Sequence, residues 1–367
     1  MRNGKFGNMF EQLKDIFQGK RVFLTGHTGF KGAWMLKILS MLGAEIKGYA
    51  LKPKTEDDLY CLIEGDNLCD SIIEDIRNRN RLIAEIVDFQ PDFVFHLAAQ
   101  PLVRLSYKLP SETFEVNAIG TANLLDGIRS LEKKCTVVII TTDKVYHNYE
   151  WEFPYRENDR LGGYDPYSAS KACAELVIDS YINSFFNERN YNQHLKDLSI
   201  VRAGNVIGGG DWSNDRLIPD VARALSNYKE VVIRNPNAVR PWQHVLEPVI
   251  AYLSLAVKQH QFPCKYNTAF NIGPCTTDAL SVQDMIKLAI EAWGDGSFRI
   301  ESSPDQLHEA GLLTLDISKA SNRLNWKPKW NASEAIERTI AWYKTFSLDR
   351  NKIVELTTEQ IFDYFNA

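Results

Sequence analysis

Two rhythms alternate along the first two hundred residues. Short unbroken apolar runs at 21–25, 45–51, 93–99, 137–142 and 199–203 read as strands buried on both faces. Between them apolar residues return every three or four positions, at 33–42, 79–89 and 113–130, the spacing of helices with one buried face. Strands alternating with helices predict a doubly wound, Rossmann-type α/β fold, a parallel sheet with right-handed crossovers. The texture changes after about residue 205. Gly208-Gly209-Gly210 opens loops rich in Asp, Asn, Pro and Trp, followed by helical spacing at 248–259, 281–293 and 334–343. A short apolar run at 269–272 is expected to return to the main sheet. The division expected is a dinucleotide-binding domain over 1–204, joined by later segments near 244–275, and a smaller C-terminal substrate-binding domain over most of 205–367, with a cleft between them.

Composition narrows the choice. The 367 residues are 44% hydrophobic and 24% charged, which excludes a disordered chain. A net charge of −5 argues against a nucleic-acid partner, because phosphate backbones need a basic face, but it leaves room for a small anionic ligand. The cysteines Cys61, Cys69, Cys135, Cys173, Cys264 and Cys275 form no Cys-x-x-Cys pair and no zinc spacing, so reduced thiols and no metal are expected. The first twenty residues hold no apolar signal core, and no apolar run is long enough to span a bilayer. A cytoplasmic protein without a membrane partner is therefore expected.

The chemistry begins with Thr25-Gly26-His27-Thr28-Gly29-Phe30-Lys31-Gly32, set between a strand and a helix. Glycines at this spacing let the backbone turn tightly and approach a pyrophosphate, while the helix N-terminus offers free N–H groups and its positive dipole end. Gly26 through Gly32 are thus cofactor-binding candidates. Asp75-Ile76 suits an adenine contact, and Leu97, Ala98, Ala99 and Gln100 close another strand along the cofactor, with Asn117 and Thr141 nearby. Residues 48–54 hold no acid to bond a ribose 2′-hydroxyl, and Lys52 and Lys54 are placed to meet a 2′-phosphate, so NAD and NADP both stay open on these residues.

Tyr167 and Lys171, four apart on a helix, project from one face. A nearby ammonium favours phenolate, which makes the pair a general base for a hydroxyl group. Thr142-Asp143-Lys144 ends the 137–142 strand, where active sites of such sheets lie: Thr142 can hydrogen-bond a reacting oxygen, and Asp143 can act as an acid if burial raises its pKa. Asn205, Arg216, Arg234, Arg240 and His244, with Gln100 and Arg104, are substrate-binding candidates, since guanidinium groups suit a diphosphate.

Taken together these strings resemble the nucleotide-sugar 4,6-dehydratases of the extended short-chain dehydrogenase/reductase family, over nearly the whole chain from residue 17 to 342. The telling stretches are Thr25-Gly-His-Thr-Gly-Phe-Lys-Gly32, Ala98-Ala-Gln-Pro-Leu-Val-Arg-Leu-Ser-Tyr107, Gly162-Gly-Tyr-Asp-Pro-Tyr-Ser168, Arg202-Ala-Gly-Asn-Val-Ile-Gly-Gly-Gly-Asp-Trp212 and Arg240-Pro-Trp-Gln-His-Val-Leu-Glu-Pro248. The wording is nearest the branch acting on CDP-glucose. The resemblance implies oxidation at C4 with Tyr167 taking the O4 proton, loss of water across C5–C6 with Asp143 as acid, and return of the hydride to C6. A cofactor regenerated within each turnover favours NAD, with NADP second. Most 4,6-dehydratases carry Glu after this Asp to remove the C5 proton; here, as the resemblance to the CDP-glucose branch implies, Lys144 stands there, and Gln100 stands where relatives often carry Glu. The family also implies a homodimer or dimer of dimers, built through two helices per subunit including the one with Tyr167. A 4-epimerase or a dehydratase of another nucleotide sugar is the alternative enzyme. An inactive, cofactor-sensing binding protein is the alternative of another class, against which the presence of both Tyr167 and Lys171 argues.

Overall fold

The computed structural model describes residues 8–214, 216–233, 235–301 and 312–367. Seven strands form one wholly parallel sheet: β1 (Arg21–Thr25), β2 (Glu45–Ala50), β3 (Asp70–Ile73), β4 (Phe93–His96), β5 (Cys135–Ile140), β6 (Lys196–Ala203) and β7 (Ala269–Ile272). Their order is β7-β6-β5-β4-β1-β2-β3. The expected doubly wound fold is the one observed, and the 269–272 run does return to the sheet, beside β6. Strand order reverses at β1, which pairs with β2 on one side and β4 on the other, Thr25 lying opposite Tyr49 and His96. Connections leave in opposite directions there, and a crevice opens beyond the carboxyl ends of β1 and β4.

Alternation along β1 builds two cores. Val22 and Leu24 face the helices Phe30–Met41 and Leu246–Gln261, whereas Phe23 faces Arg79–Phe89 and Gly120–Arg129. Helices on both faces explain why the strands read as unbroken apolar runs. β3 went unforeseen because Asp70-Ser-Ile-Ile is a half-exposed edge strand with no apolar run to mark it. The continuous helix expected at 113–130 is instead Pro110–Phe114, a π turn at Glu115–Ile119, and Gly120–Arg129. The wider turn admits one extra residue and carries Asn117 into the interior.

The back half is clamped onto the sheet by aromatic side chains. Trp34 donates to the Gly209 carbonyl at 3.0 Å, Tyr343 donates to the Asp211 carbonyl at 2.5 Å, and Trp212 donates to the Asp57 carbonyl at 2.7 Å. A Cβ on Gly209 would sit 2.0 Å from the Trp342 ring, so only glycine lets the loop lie flat on that helix. The terminal helices Asn8–Phe17 and Ile353–Asn366 meet through Phe10 and Phe365, ring centroids 5.2 Å apart. All six cysteines are free thiols. Among the described residues no helix is long and apolar enough to cross a membrane, and no group of His, Cys, Asp and Glu is arranged to hold a metal ion.

Glu247 ties the back half to the sheet's helices. It accepts the Lys329 and Trp330 N–H groups at 2.9 and 2.8 Å and the Tyr364 hydroxyl at 2.7 Å. Burial pushes its carboxyl from 4.5 up to about 7. The folded chain therefore binds this proton more tightly than the unfolded chain does. Its contribution to stability is full at low pH, falls as pH rises from 4.5 through about 7, and levels off above. Glu247→Gln keeps an acceptor for both N–H groups and removes the charge. Relative to the wild type it is expected to gain about 2 kcal/mol in urea unfolding between about pH 5 and about pH 8. Parallel stability–pH curves for the two proteins would rule this out.

Candidate active site

The glycine turn is built by close approach. Gly26 sits at φ +75°, and a Cβ there would meet the Ala98 nitrogen at 2.8 Å. A Cβ on Gly32 would lie 2.0 Å from the Gly26 carbonyl oxygen, so the helix Phe30–Met41 starts directly above the turn. Thr25 knits this turn to the end of β4: its hydroxyl accepts the Leu97 and Ala98 N–H groups at 3.1 and 3.2 Å and meets His96 Nδ1 at 2.7 Å. Burial lowers His96 to about 3, so the ring is neutral. Turn, helix N-terminus and the 97–100 segment thus come together at the carboxyl ends of β1 and β4 as one cradle.

Not every candidate side chain faces it. The His27 ring turns inward, Nε2 2.8 Å from Ser71 Oγ and edge-on to Tyr60, over the Cα of Gly48; burial lowers it to about 4. His27 therefore offers the cradle its backbone only. Asn117 is a brace: its amide carries the Gln100 N–H at 2.9 Å and donates to the Gln100 carbonyl and to Ser170 Oγ. The Gln100 side chain folds back onto Leu102 and Thr113. The Asp75 carboxylate is held by Arg77 at 2.7 Å, which keeps it below the usual carboxylate range, and Ile76 is buried against Gly120.

A second set of groups meets at the carboxyl end of β5. Thr142 donates to Asp143 Oδ1 at 2.9 Å and is hydrogen-bonded to the Tyr167 phenol. The Lys144 ammonium lies 3.3 Å from Asp143 Oδ1 and 3.4 Å from Asn205 Oδ1. Tyr167 opens the helix Pro166–Ser184, capped by the Asp165 carboxylate on the Ser168 N–H at 3.0 Å, and its own N–H donates to Ser106 Oγ at 3.1 Å. Lys171, one turn on, donates to the Ile140 carbonyl at 3.0 Å. Thr142, Asp143, Lys144, Tyr167 and Lys171 are thus brought together as the sequence spacing anticipated.

Burial dominates their electrostatics. It pushes the Tyr167 phenol up to about 12, against which the Thr142 hydrogen bond and the Arg216 charge pull down. It pushes Lys171 down to about 8, opposed by Glu175. Lys31 was singled out for its place in the glycine turn, but its side chain reaches the same corner. Burial, then Arg216, lower it to about 8, and Asp143, Lys171 and Lys144 all act on it. Arg216 is anchored by Asp211 at 2.7 Å. Lys144 and Lys31 act on Asp143, and Arg216 acts on Tyr167, so the corner's positive charge suits an anionic ligand and opposes, without overcoming, the burial of the phenol.

His244 is a correction. Its ring is wholly buried between Trp34 and Trp330, centroids 5.8 and 4.9 Å away, and burial lowers it to about 3, so it is a core residue and not a ligand contact. Arg240 is partly buried and donates to its neighbour's carbonyl at 3.0 Å, and Arg104 lies on the short helix Val103–Lys108. Arg234 lies outside the described residues. Sequence reasoning missed a hollow beside Pro241, lined by Gly273, Pro274, Cys275 and Asp278 just past β7, and it missed Glu175. The signal for Glu175 was present, a third polar residue at four-residue spacing after Tyr167 and Lys171.

Comparison with known proteins shows what the chain is similar to. The family model described as GDP-mannose 4,6 dehydratase matches residues 23–339. The chain is 46% identical to a CDP-glucose 4,6-dehydratase of Salmonella typhimurium over 354 residues, covering 96% of this chain and 98% of that one. It is 25% identical to a CDP-paratose 2-epimerase of Salmonella typhi over 345 residues, 88% of this chain and 98% of the other. Among solved structures, a dTDP-glucose 4,6-dehydratase of Streptomyces venezuelae with NAD bound superposes with a TM-score of 0.76 at 21% identity, over 92% of this chain and 99% of that one. A UDP-glucose 4-epimerase of Thermotoga maritima gives 0.75 at 20%, over 90% and 100%.

The two glycines of the turn should differ in what they tolerate. Gly26→Ala adds a Cβ at positive φ against backbone, and is expected to lose about 2 kcal/mol or more in urea unfolding. Gly29 sits at φ −78° with only the Gly26 oxygen at 3.4 Å, so Gly29→Ala should cost less than about 1 kcal/mol. Equal losses would mean the turn is not held by the Ala98 contact.

Proposed function

The chain belongs to the GDP-mannose 4,6 dehydratase family, and we propose that it acts as a CDP-glucose 4,6-dehydratase, an NAD-dependent hydro-lyase forming CDP-4-dehydro-6-deoxy-D-glucose. The observation that carries this is the 46% identity, end to end, with the Salmonella typhimurium enzyme of that activity. The cradle fits NAD: only glycine at 26 and 32 lets the turn pack against the Ala98 backbone and under the start of the helix Phe30–Met41, whose N-terminus then faces a pyrophosphate. Held there, NAD would supply the hydride acceptor for oxidation at C4 and the hydride donor for reduction at C6. In this reading residues 1–204, with segments near 244–275, hold the cofactor, and most of 205–367 holds the nucleotide sugar.

The chain's own residues supply proton chemistry and position. Tyr167, as phenolate, takes the proton of the C4 hydroxyl, while Thr142 holds the same oxygen. Lys171 stabilises the phenolate. The C4 ketone acidifies the C5 proton. Asp143 and Lys144, 3.3 Å apart, then act as one unit. Moving one proton from ammonium to carboxylate gives a neutral amine and a neutral acid without changing the net charge of a buried corner. Lys144 takes the C5 proton, Asp143 gives its proton to the departing C6 hydroxyl, and the ion pair is restored; as C6 is reduced, C5 takes a proton back from Lys144, and the proton held by Tyr167 replaces it. A 4-epimerase needs no such acid, which disfavours that alternative. Arg216 and Arg240, with Asn205, are the residues proposed to meet the CDP diphosphate.

Leu176, 62% exposed on the outer face of the Tyr167 helix, and Ile119, 55% exposed, support pairing of two copies through these helices. The enzyme is read as a cytoplasmic homodimer or dimer of dimers, serving deoxysugar formation for surface polysaccharide.

Purified protein given CDP-glucose deuterated at C4, with a trace of NAD+, should yield a product lighter by one water with the label at C6. An unreacted or merely epimerised sugar would remove CDP-glucose as substrate. Lys144→Ala separates the steps: transient NADH absorbance from C4 oxidation should persist, while dehydration slows by about a hundredfold or more. Wild-type dehydration in this variant would eliminate Lys144 as the C5 base.

A further inference from the structure

Glu175 is 2% exposed, touches neither the cradle nor the open corner, and lies one helical turn beyond Lys171. Its carboxylate is the hub of a buried network. Arg202 on β6 grips it through Nε at 2.9 and 3.0 Å and through Nη2. The Thr141 hydroxyl, immediately after β5, donates to it at 2.6 Å. The remaining guanidinium nitrogen of Arg202 donates to the Tyr146 hydroxyl at 2.8 Å and to the Glu157 carbonyl at 2.9 Å. Tyr146, three residues past Asp143, donates in turn to Asn271 Oδ1 on β7 at 2.7 Å. One carboxylate thus joins the helix of Tyr167 and Lys171 to the ends of β5, β6 and β7 and to the turn that carries Asp143 and Lys144.

We propose that Glu175, braced by Arg202, is a positioning residue for the oxidising pair: it fixes the register of the Tyr167 helix against β5 and keeps the Lys171 ammonium charged. This rests on the reading of Tyr167 and Lys171 as that pair. An ion pair this deeply buried is a poor source of stability, because desolvating both charges offsets their attraction, so stability alone does not account for it. Its placement accounts for it better. Lys171 meets Glu175 on its own helix, His96 from β4, and Lys31 from the helix above the glycine turn. His96 is neutral and Lys31 repels it, so Glu175 is the group that opposes burial and holds the lysine proton. With Glu175 neutralised, Lys171 would lose its charge at lower pH, and the phenolate would lose its support with it. The alkaline limb of the rate profile therefore reports on Glu175. Lys31, the other lysine lowered to about 8, is governed by burial and then by Arg216, Asp143, Lys171 and Lys144.

The test uses the full-length protein with NAD+ and CDP-glucose. Glu175→Gln with Arg202→Met removes both charges and leaves neither buried alone. Expected are a folded protein, an unchanged KM, a kcat lower by about tenfold or more, and an alkaline limb moved down by about one pH unit. Should that pair not fold, Glu175→Asp draws the carboxylate back by one methylene and should move the limb the same way by less. A limb that stays at the wild-type pH in whichever variant folds overturns the proposal. Tyr167→Phe, measured alongside, tests the premise separately: if it still oxidises C4, the pair itself has been misassigned, whatever Glu175 does.

Discussion

Desolvation at the carboxyl end of β5 is the constraint on which the site depends. In water a lysine is always charged and a tyrosine always neutral near pH 7, and neither is much use as a base. Within this corner burial lowers Lys31 and Lys171 to about 8 and would hold the Tyr167 phenol near 12. The same burial that makes the lysines adjustable therefore works against the phenolate, and the Thr142 hydrogen bond and the Arg216 charge oppose it. Cations from four segments gather at this corner: Lys31 above the glycine turn, Lys144 past β5, Lys171 on the following helix, and Arg216 in the loop beyond β6. None could be assembled by one local stretch of chain, which is why a fold that brings strand ends together is needed.

Much of this was legible in the sequence, and the limits have physical causes. The strands β1, β2, β4, β5 and β6 are covered on both faces, so unbroken apolar runs betray them, and their parallel order follows from the helices between. β3 and the π turn at Glu115–Ile119 left no such trace: one is a half-exposed edge, and the other is a single extra residue in an otherwise helical pattern. The site motifs were found where spacing is local, as with Tyr167 and Lys171. They failed where burial decides the role. His27 and His244 look like ligands in a linear reading, yet each has its ring in the interior, against Ser71 and Tyr60 in one case and between two tryptophans in the other. Lys31 shows the reverse. It was read through its backbone, but its side chain belongs to the reactive corner.

Aromatic packing transmits order from the far end of the chain to this corner. Trp342 and Tyr343 press the glycine loop at 208–210 flat, Tyr343 holds the Asp211 carbonyl, and the Asp211 carboxylate holds Arg216. Arg216 in turn acts on both Tyr167 and Lys31. A helix near the C-terminus thus fixes the direction of a charge that the sheet cannot position. The three consecutive glycines are then a packing requirement: a Cβ on Gly208 would meet Val245 at 2.7 Å, on Gly209 the Trp342 ring, and on Gly210 Leu59 at 2.6 Å.

Lys144 standing where related enzymes carry a second carboxylate changes the charge arithmetic of elimination. Two carboxylates side by side in a buried corner repel, and one must be held protonated by its surroundings for an acid and a base to coexist. A carboxylate beside an ammonium is an attractive pair, and the proton exchange proposed within it leaves the corner's net charge alone. The Asn205 amide oxygen at 3.4 Å and the Thr142 hydroxyl at 2.9 Å steady the two ends of that pair. The cost is an extra positive charge beside Lys31, Lys171 and Arg216. That charge adds to a corner already positive, which suits a ligand with anionic oxygens of its own, as a nucleoside diphosphate has and a free hexose has not.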